Sequence, residues 1–345
     1  MSAPVDKPMM PPVTMTVIVL NYNAGAYLRD CVQALAAQSF VNFHAIIADN
    51  GSTDSSFDDA RSALDDPRFS FVEFGTNHGF ARGNNLAVKM VETPLVALLN
   101  PDAIPEPGWL DALDRAQLAN PGADSFGSLQ LDLKDPSRLD GAGDNYLALG
   151  VPWRGGHGRD AALAPPLGAV FSACAAAALY RADAFRALGG FDEDYFCYVE
   201  DVDLGFRLRL RGGACLQIPD AVVAHAGGVS SGSQRSDFAV YHGTRNMIWT
   251  FVKNMPGPLF WILAPGHVFV LGVLLLKASL RGEGGRVYRA IRDACCGLSG
   301  AWAKRQQVQA TRTATLSSIA AILAWNVFAY FRKDTIVRNI DVGSD

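Results

Sequence analysis

No C-x-x-C pair and no zinc-ligand spacing occur among the six cysteines of this 345-residue chain (Cys31, Cys174, Cys197, Cys215, Cys295 and Cys296). That sets aside a disulfide scaffold or zinc module and points to reduced, mostly buried thiols in a reducing compartment. No GK[S/T] triplet follows a glycine-rich loop, so a Walker-type phosphate loop is excluded. The opening MSAPVDKPMMPPVTM lacks a charged head leading into an apolar run; no signal peptide is read there, and the body is expected to stay cytoplasmic. Charge is sparse at 19% against 49% hydrophobic residues, which suits one large or two smaller buried cores and excludes a disordered chain. Basic residues are scarcest in the body: residues 1–276 hold 19 Lys+Arg against 29 Asp+Glu, whereas residues 277–345 hold 11 against 5. The acidic body argues against a nucleic-acid partner, and the basic tail beside apolar segments is what an anionic membrane surface attracts.

What is present begins as alternating strands and helices. TVIVLNYN reads as a buried strand, and AYLRDCVQALAAQ follows with Leu28, Val32 and Leu35 at helical spacing. HAIIADNGSTDSS repeats the pattern, and RFSFVEFG, GNNLAVKMVE and PLVALLNPDA supply a third strand, a helix and a fourth strand. Such alternation predicts a mainly parallel sheet flanked by helices. Ligands bind such sheets at the carboxyl ends of the strands, so the loops holding Asn21, Asp49 and Asp102 are expected to converge on one site. Residues 125–170, rich in glycine and turn residues, read as loops and short strands over a pocket.

Several residues carry chemistry by type and place. Asp49, at a strand end, can accept from the N3–H of a uracil or thymine ring, or simply cap the next helix. NHGFARGNN (77–85) sets glycines before a helix whose N-terminus favours a diphosphate, with Asn84 within reach. Asn100 and Asp102, one residue apart in LLNPDA, offer oxygen ligands for Mg2+ or Mn2+, or form an ordinary Pro-Asp turn. His225 in VAHAGG is the histidine best placed to complete such a shell. In YFCYVEDVDLGFRLRLR (195–211), a helix starting near Glu200 puts Asp203 and Arg207 on one face as a pair. Asp201 has only Gly205 at that spacing and is left free for use as a general base.

In this order, VIVLNYN, DNGSTD, NHGFARGNN, LLNPDA, GGFDEDYFCYVEDVDLGFRLRLRGG and HGTRNM resemble the family 2 glycosyltransferases over about residues 14–250, especially the bacterial rhamnosyltransferase-like branch. The resemblance implies a GT-A nucleotide-diphospho-sugar transferase fold, a dTDP- or UDP-linked sugar donor, a divalent ion and inversion at the anomeric carbon. It implies that Asn21, Asp49, Asn84 and Asp102 bind the donor, that Asp102 and His225 hold the metal, and that Asp201 is the base. Gly190, Glu200, Asp203 and Arg207 then shape or support the acceptor side. The implied acceptor is a polyprenyl-diphosphate-linked glycan of the cell envelope, and the favoured donor is dTDP-rhamnose. Many members carry two aspartates in the metal motif; Asn100 stands at the first here, and a catalytically impaired nucleotide-sugar-binding module is the alternative it raises.

The expected layout is a flexible N-terminus (1–13), a glycosyltransferase domain (14–254) and a helical, basic, membrane-associating region (255–345). Residues 259–276 and 314–331 are apolar runs near the lower limit for spanning a bilayer. Residues 277–313 between them hold 8 Lys+Arg and 2 Asp+Glu and would lie outside if the first run crossed, against the positive-inside tendency. Interfacial helices on the cytoplasmic face of the inner membrane are therefore expected, with two spanning helices next in order and buried helices of a soluble domain or a homodimer interface as the remaining alternative.

Overall fold

The structure is a computed structural model that describes residues 13–228 and 236–340; the expected flexible N-terminus lies, apart from Val13, outside them. The first half runs β1 (Met15–Asn21), α1 (Ala26–Ala36), β2 (Phe43–Asp49), α2 (Ser56–Ser62), β3 (Phe69–Glu73), α3 (Gly79–Val88), β4 (Leu95–Leu99), β5 (Ala103–Pro105) and α4 (Trp109–Ala119). It continues with β6 (Ser125–Asp132), β7 (Leu139–Ala142), β8 (Asp144–Leu147), β9 (Val151–Arg154), β10 (Gly168–Ala169), β11 (Ala177–Arg181), α5 (Ala182–Ala187), α6 (Glu200–Leu210) and β12 (Cys215–His225). Six helices end the chain: α7 (Asp237–Asn254), α8 (Gly257–Leu280), α9 (Gly284–Cys296), α10 (Leu298–Ala310), α11 (Leu316–Ile322) and α12 (Val327–Arg332).

The main sheet has the order β10-β12-β6-β11-β4-β1-β2-β3. β1 to β4 pair parallel, β11 enters antiparallel to both β4 and β6, and β12 runs parallel to β6. Strand alternation sorts the core into two layers. Met15, Val17 and Val19 of β1 face one side with Leu28 and Leu35 of α1 and Trp109 of α4, while Ile18 and Leu20 face the other with Ala81 of α3 and Phe185 of α5. Because both faces are covered, the strands read as continuous apolar runs.

A third apolar cluster joins Tyr146 of β8, Phe171 and Phe206 of α6 to Met247 and Phe251 of α7, Ala294 of α9, Ala301 of α10 and Ile319 of α11. Among the described residues, α8 is the one helix long and apolar enough to cross a membrane, and little of it is buried. The 314–331 run is broken, which corrects the two-span alternative. Ala324 exchanges backbone hydrogen bonds with Tyr146 and Ala148 beside β8, and the Asn326 side chain then caps a fresh helix at Phe328, leaving α11 and α12 seven and six residues long.

Candidate active site

β1 and β2 end in register, with Asn21 opposite Asp49. The Asn21 amide donates to Asp49 Oδ1 (2.8 Å) and lies within hydrogen-bond reach of the Ser52 and Ser56 hydroxyls. Asp49 Oδ2 accepts from the backbone N–H of Gly51 and Ser52, so its carboxylate is locked in plane at the mouth of the strand pair. The Asn50 side chain ties this loop to the next, donating to Gly79 O and accepting from His78 N. Gly79 has φ +76°, and any Cβ there would strike the Phe196 ring, so this glycine lets the loop before α3 touch the segment before α6. Asn84 turns its amide back onto Phe80 O within α3. Its neighbour Asn85 crosses to Phe191, both donating to the carbonyl and accepting from the N–H.

β5 pairs with the end of β12, setting Ala103 opposite His225 and thereby Asp102 beside the imidazole. His225 Nε2 lies 3.3 Å from Asp102 Oδ1 and 3.3 Å from the Asn100 amide, while Nδ1 meets Asp140 Oδ2 at 2.8 Å. Burial works to lower the His225 pKa, but the hydrogen bonds to Asp102 and Asp140 prevail and push it up to about 9. Burial works against the Asp140 carboxylate too, yet Arg154, His157 and His225 together hold it well below the usual carboxylate range. A carboxylate, an imidazole nitrogen and a second carboxylate orienting that imidazole from behind form a donor set that fits Mg2+ or Mn2+. Asp140 lies 85 residues from His225, and only the fold joins them. Its sequence signal was DGAGDN, an acid among glycines in the stretch read above as loops and short strands.

The base candidate sits at the start of α6. Phe196, Tyr198 and Val199 all have positive φ (63°, 70° and 70°), a strain of order 1–3 kcal/mol each. The surrounding structure imposes it. Asn246 of α7 donates its amide to the carbonyls of Tyr195, Cys197 and Tyr198 (3.0, 2.9 and 2.7 Å), and Arg245 donates to those of Asp194 and Tyr195. So clamped, the segment delivers Asp201, whose Oδ2 accepts from Ala175 N (3.1 Å) and Oδ1 from Val202 N (2.8 Å). One lone pair on each oxygen remains for a ligand.

The other acids divide as follows. Asp203, fully buried, accepts from Arg207 Nε (2.8 Å), Lys253 Nζ (2.7 Å), Asn254 Nδ2 (2.7 Å) and Tyr195 Oη (3.2 Å). Burial alone would raise its pKa, but Arg207 and Lys253 bring it below the ordinary value. Arg207 also donates to the carbonyls of Leu188 and Gly190, fixing the Gly189-Gly190 turn to α6. Glu200 is buried, with Oε2 unpartnered, and burial followed by the nearby Asp201 pushes its pKa well up. Asp144 of β8, which motif reading missed, behaves likewise: burial first and Asp201 second drive its pKa far above the carboxylate range. Arg154 stands opposite Asp144 across the β8–β9 hairpin and bonds Asp140 at 2.6 Å, so it links the His225 cluster to the residue whose carboxylate lies within 4.8 Å of that of Asp201.

Residues 16–189 match the family model described as glycosyl transferase family 2. The chain belongs to glycosyltransferase family 2. It is thus a nucleotide-sugar glycosyltransferase. This family 2 enzyme is 28% identical over 302 residues to the N-acetylglucosaminyl-diphospho-decaprenol L-rhamnosyltransferase of Mycobacterium tuberculosis, covering 77% of this chain and 94% of that one. It is 24% identical to a validoxylamine A glucosyltransferase of Streptomyces hygroscopicus, over 74% of this chain and 65% of the other. Two solved structures share its GT-A fold. A Pyrobaculum calidifontis mannosyltransferase in complex with GDP-Man and Mn2+ matches with TM-score 0.54 at 17% identity, covering 88% and 86% of the two chains. S. aureus TarS residues 1–349 with UDP-GlcNAc match with TM-score 0.55 at 16% identity, covering 96% and 95%.

Proposed function

We propose that the enzyme transfers a sugar, L-rhamnose from dTDP-rhamnose in the favoured case, to a hydroxyl of a polyprenyl-diphosphate-linked glycan, with inversion. The observation that carries the reading is the side-chain cluster itself: His225 held between Asp102 and Asp140, Arg154 bonded to Asp140 and opposite Asp144, and a carboxylate oxygen of Asp201 within 4.8 Å of one on Asp144. Likeness to the mycobacterial enzyme supports the choice of sugar and acceptor. Asp49, framed by Asn21, reads the nucleobase. Asp102 and His225 hold Mg2+ or Mn2+, which when bound supplies positive charge to the departing diphosphate. Asp201, steadied by two backbone amides, takes the proton of the acceptor hydroxyl as that oxygen attacks the anomeric carbon from the opposite face. Gly190 and Arg207 hold the acceptor side in place.

Nucleoside diphosphate release, measured over a panel of nucleotide sugars with and without a lipid-linked N-acetylglucosamine acceptor, tests this reading. Release is expected to depend on acceptor and to stop in excess chelator. Asp102→Ala should abolish the response to added Mn2+ or Mg2+, and Asp140→Asn should weaken it by about 10- to 100-fold, as loss of a ligand's orienting partner does. Full activity in chelator would remove the ion from the mechanism, and nucleotide-sugar binding with no release in either condition would favour the binding-module alternative.

Residues before 254 carry this chemistry, and the later helices face lipid at the cytoplasmic side of the membrane. Trp261 (68% exposed), Phe269 (70%) and Leu280 (80%) on α8 are exposed, as are Phe328 and Phe331 of α12, Lys277 of α8 lies over the Phe331 ring, and Arg281, Arg289 and Arg292 lie in the adjoining α8–α9 region. Trp and Phe provide apolar area while the cations seek anionic headgroups. Full-length protein should float with anionic vesicles, less so as salt rises, and Trp261→Ala with Phe269→Ala should lower partitioning by about tenfold or more. Protein left in the soluble fraction at low salt would reassign the face to a second copy of the chain.

A further inference from the structure

Around the proposed base lies a group of ligand atoms, two of which, those of Asp144 and Cys174, the transfer reaction does not use. Asp144, Cys174 and Asp201 come from β8, the segment before β11 and the first turn of α6, and one ligand atom from each lies within 4.8 Å of the other two. Asp144 is only 5% exposed, and its Oδ2 has no hydrogen-bond partner. An unpartnered buried carboxyl oxygen is costly, and it is relieved by whatever ligand enters the gap. Cys174 is buried, and its thiol makes a long contact with Gln130 Oε1 at 3.9 Å. Asp201 keeps a free lone pair on each oxygen.

We propose that Asp144, Cys174 and Asp201 form a second cation site, distinct from Asp102 and His225, that takes a thiophilic divalent ion such as Zn2+ and shuts off transfer by occupying the base. Ligand type separates the two sites: a sulfur donor suits Zn2+ or Co2+ and is a poor match for Mg2+, whereas the carboxylate and imidazole of the first site take harder ions. Closing the triangle to metal-bonding distances asks for movements of roughly 1 Å, given Zn–S of about 2.3 Å and Zn–O of about 2.0–2.2 Å. Charge also matches, since Arg154 interacts with Asp144, Cys174 and Asp201 together and offsets the negative charge that three anionic ligands leave on a divalent ion. The inhibitory consequence rests on Asp201 being the base; the site itself does not.

Co2+ added to the full-length protein tests the site, in a Cys295→Ser, Cys296→Ser background that removes the exposed cysteine pair. A near-ultraviolet thiolate-to-cobalt band is expected, and it should vanish in Cys174→Ala and weaken in Asp144→Asn. No band in the parent, or an unchanged band in both variants, overturns the site. Zn2+ titrated into the transfer assay at saturating Mg2+ should inhibit, and Cys174→Ala should raise the concentration needed by about tenfold or more, as loss of one of three ligands implies. Equal inhibition of parent and variant overturns the inhibitory role. A cobalt band without any transferase turnover confirms the site and counts against the proposed reaction instead.

Discussion

Asp201→Asn is expected to cut turnover by about a hundredfold or more while leaving nucleotide-sugar affinity nearly unchanged. Two effects add. The amide cannot take the acceptor proton, and its NH2 end must face a backbone N–H, because Ala175 N and Val202 N address opposite oxygens of the carboxylate. One of those bonds becomes a clash of donors, and the side chain turns away from the pocket. The donor end, built on β1, β2 and α3, shares no hydrogen bond with Asp201, so calorimetric binding of the nucleotide sugar should be preserved. A variant with near-normal turnover would show that the acceptor proton leaves by another route.

Asp203→Ala should be the most destabilising single change at the site, by about 3–5 kcal/mol, because removing one partner strands buried charges. Arg207 would keep only neutral carbonyl partners, and Lys253 would keep Asp192 alone. The Tyr195 hydroxyl and the Asn254 amide would each lose a partner in a space closed to water. Chemical denaturation followed by circular dichroism measures the loss, and Asp203→Asn should fall between the two, since it keeps the shape and part of the hydrogen bonding without the charge. A shift under 1 kcal/mol would mean that Asp192 and the carbonyls satisfy both cations unaided.

The readable part of the fold was the part whose pattern is local. β1 to β4 announce themselves because each is an apolar run closed by turn residues, and the order of their loops brings Asn21, Asp49 and Asp102 to one edge of the sheet. The Asp203–Arg207 pair follows from helical spacing alone. What stayed hidden depends on contacts distant in sequence. Asp140 matters through His225, Asn246 through carbonyls about 50 residues away, and Lys253 through Asp192 and Asp203. The run at 314–331 misled because apolar composition records burial and says nothing of a chain that leaves the helix to pair with β8. Asn84 and Asn85 differ by one helical position, about 100° of rotation, and only Asn85 points across to Phe191.

The apolar cluster that joins α6 and the 146–171 region to α7, α9, α10 and α11 also bears on how such a chain can be inherited. Lys304 of α10 bonds Asp192 and Asp194, so even the charged contacts of the last helices reach into the clamped segment ahead of the base. A crossover between two related genes near codon 254 would join a catalytic half to helices shaped for another partner, leaving Phe206 and Phe251 against strangers. Such hybrids should fold poorly, which would hide whatever sugar specificity they carry. Diversification would be channelled into the loops after β1 and β2 and before α3, which can vary while the C-terminal helices and the segment carrying Asp201 descend together as one hereditary block.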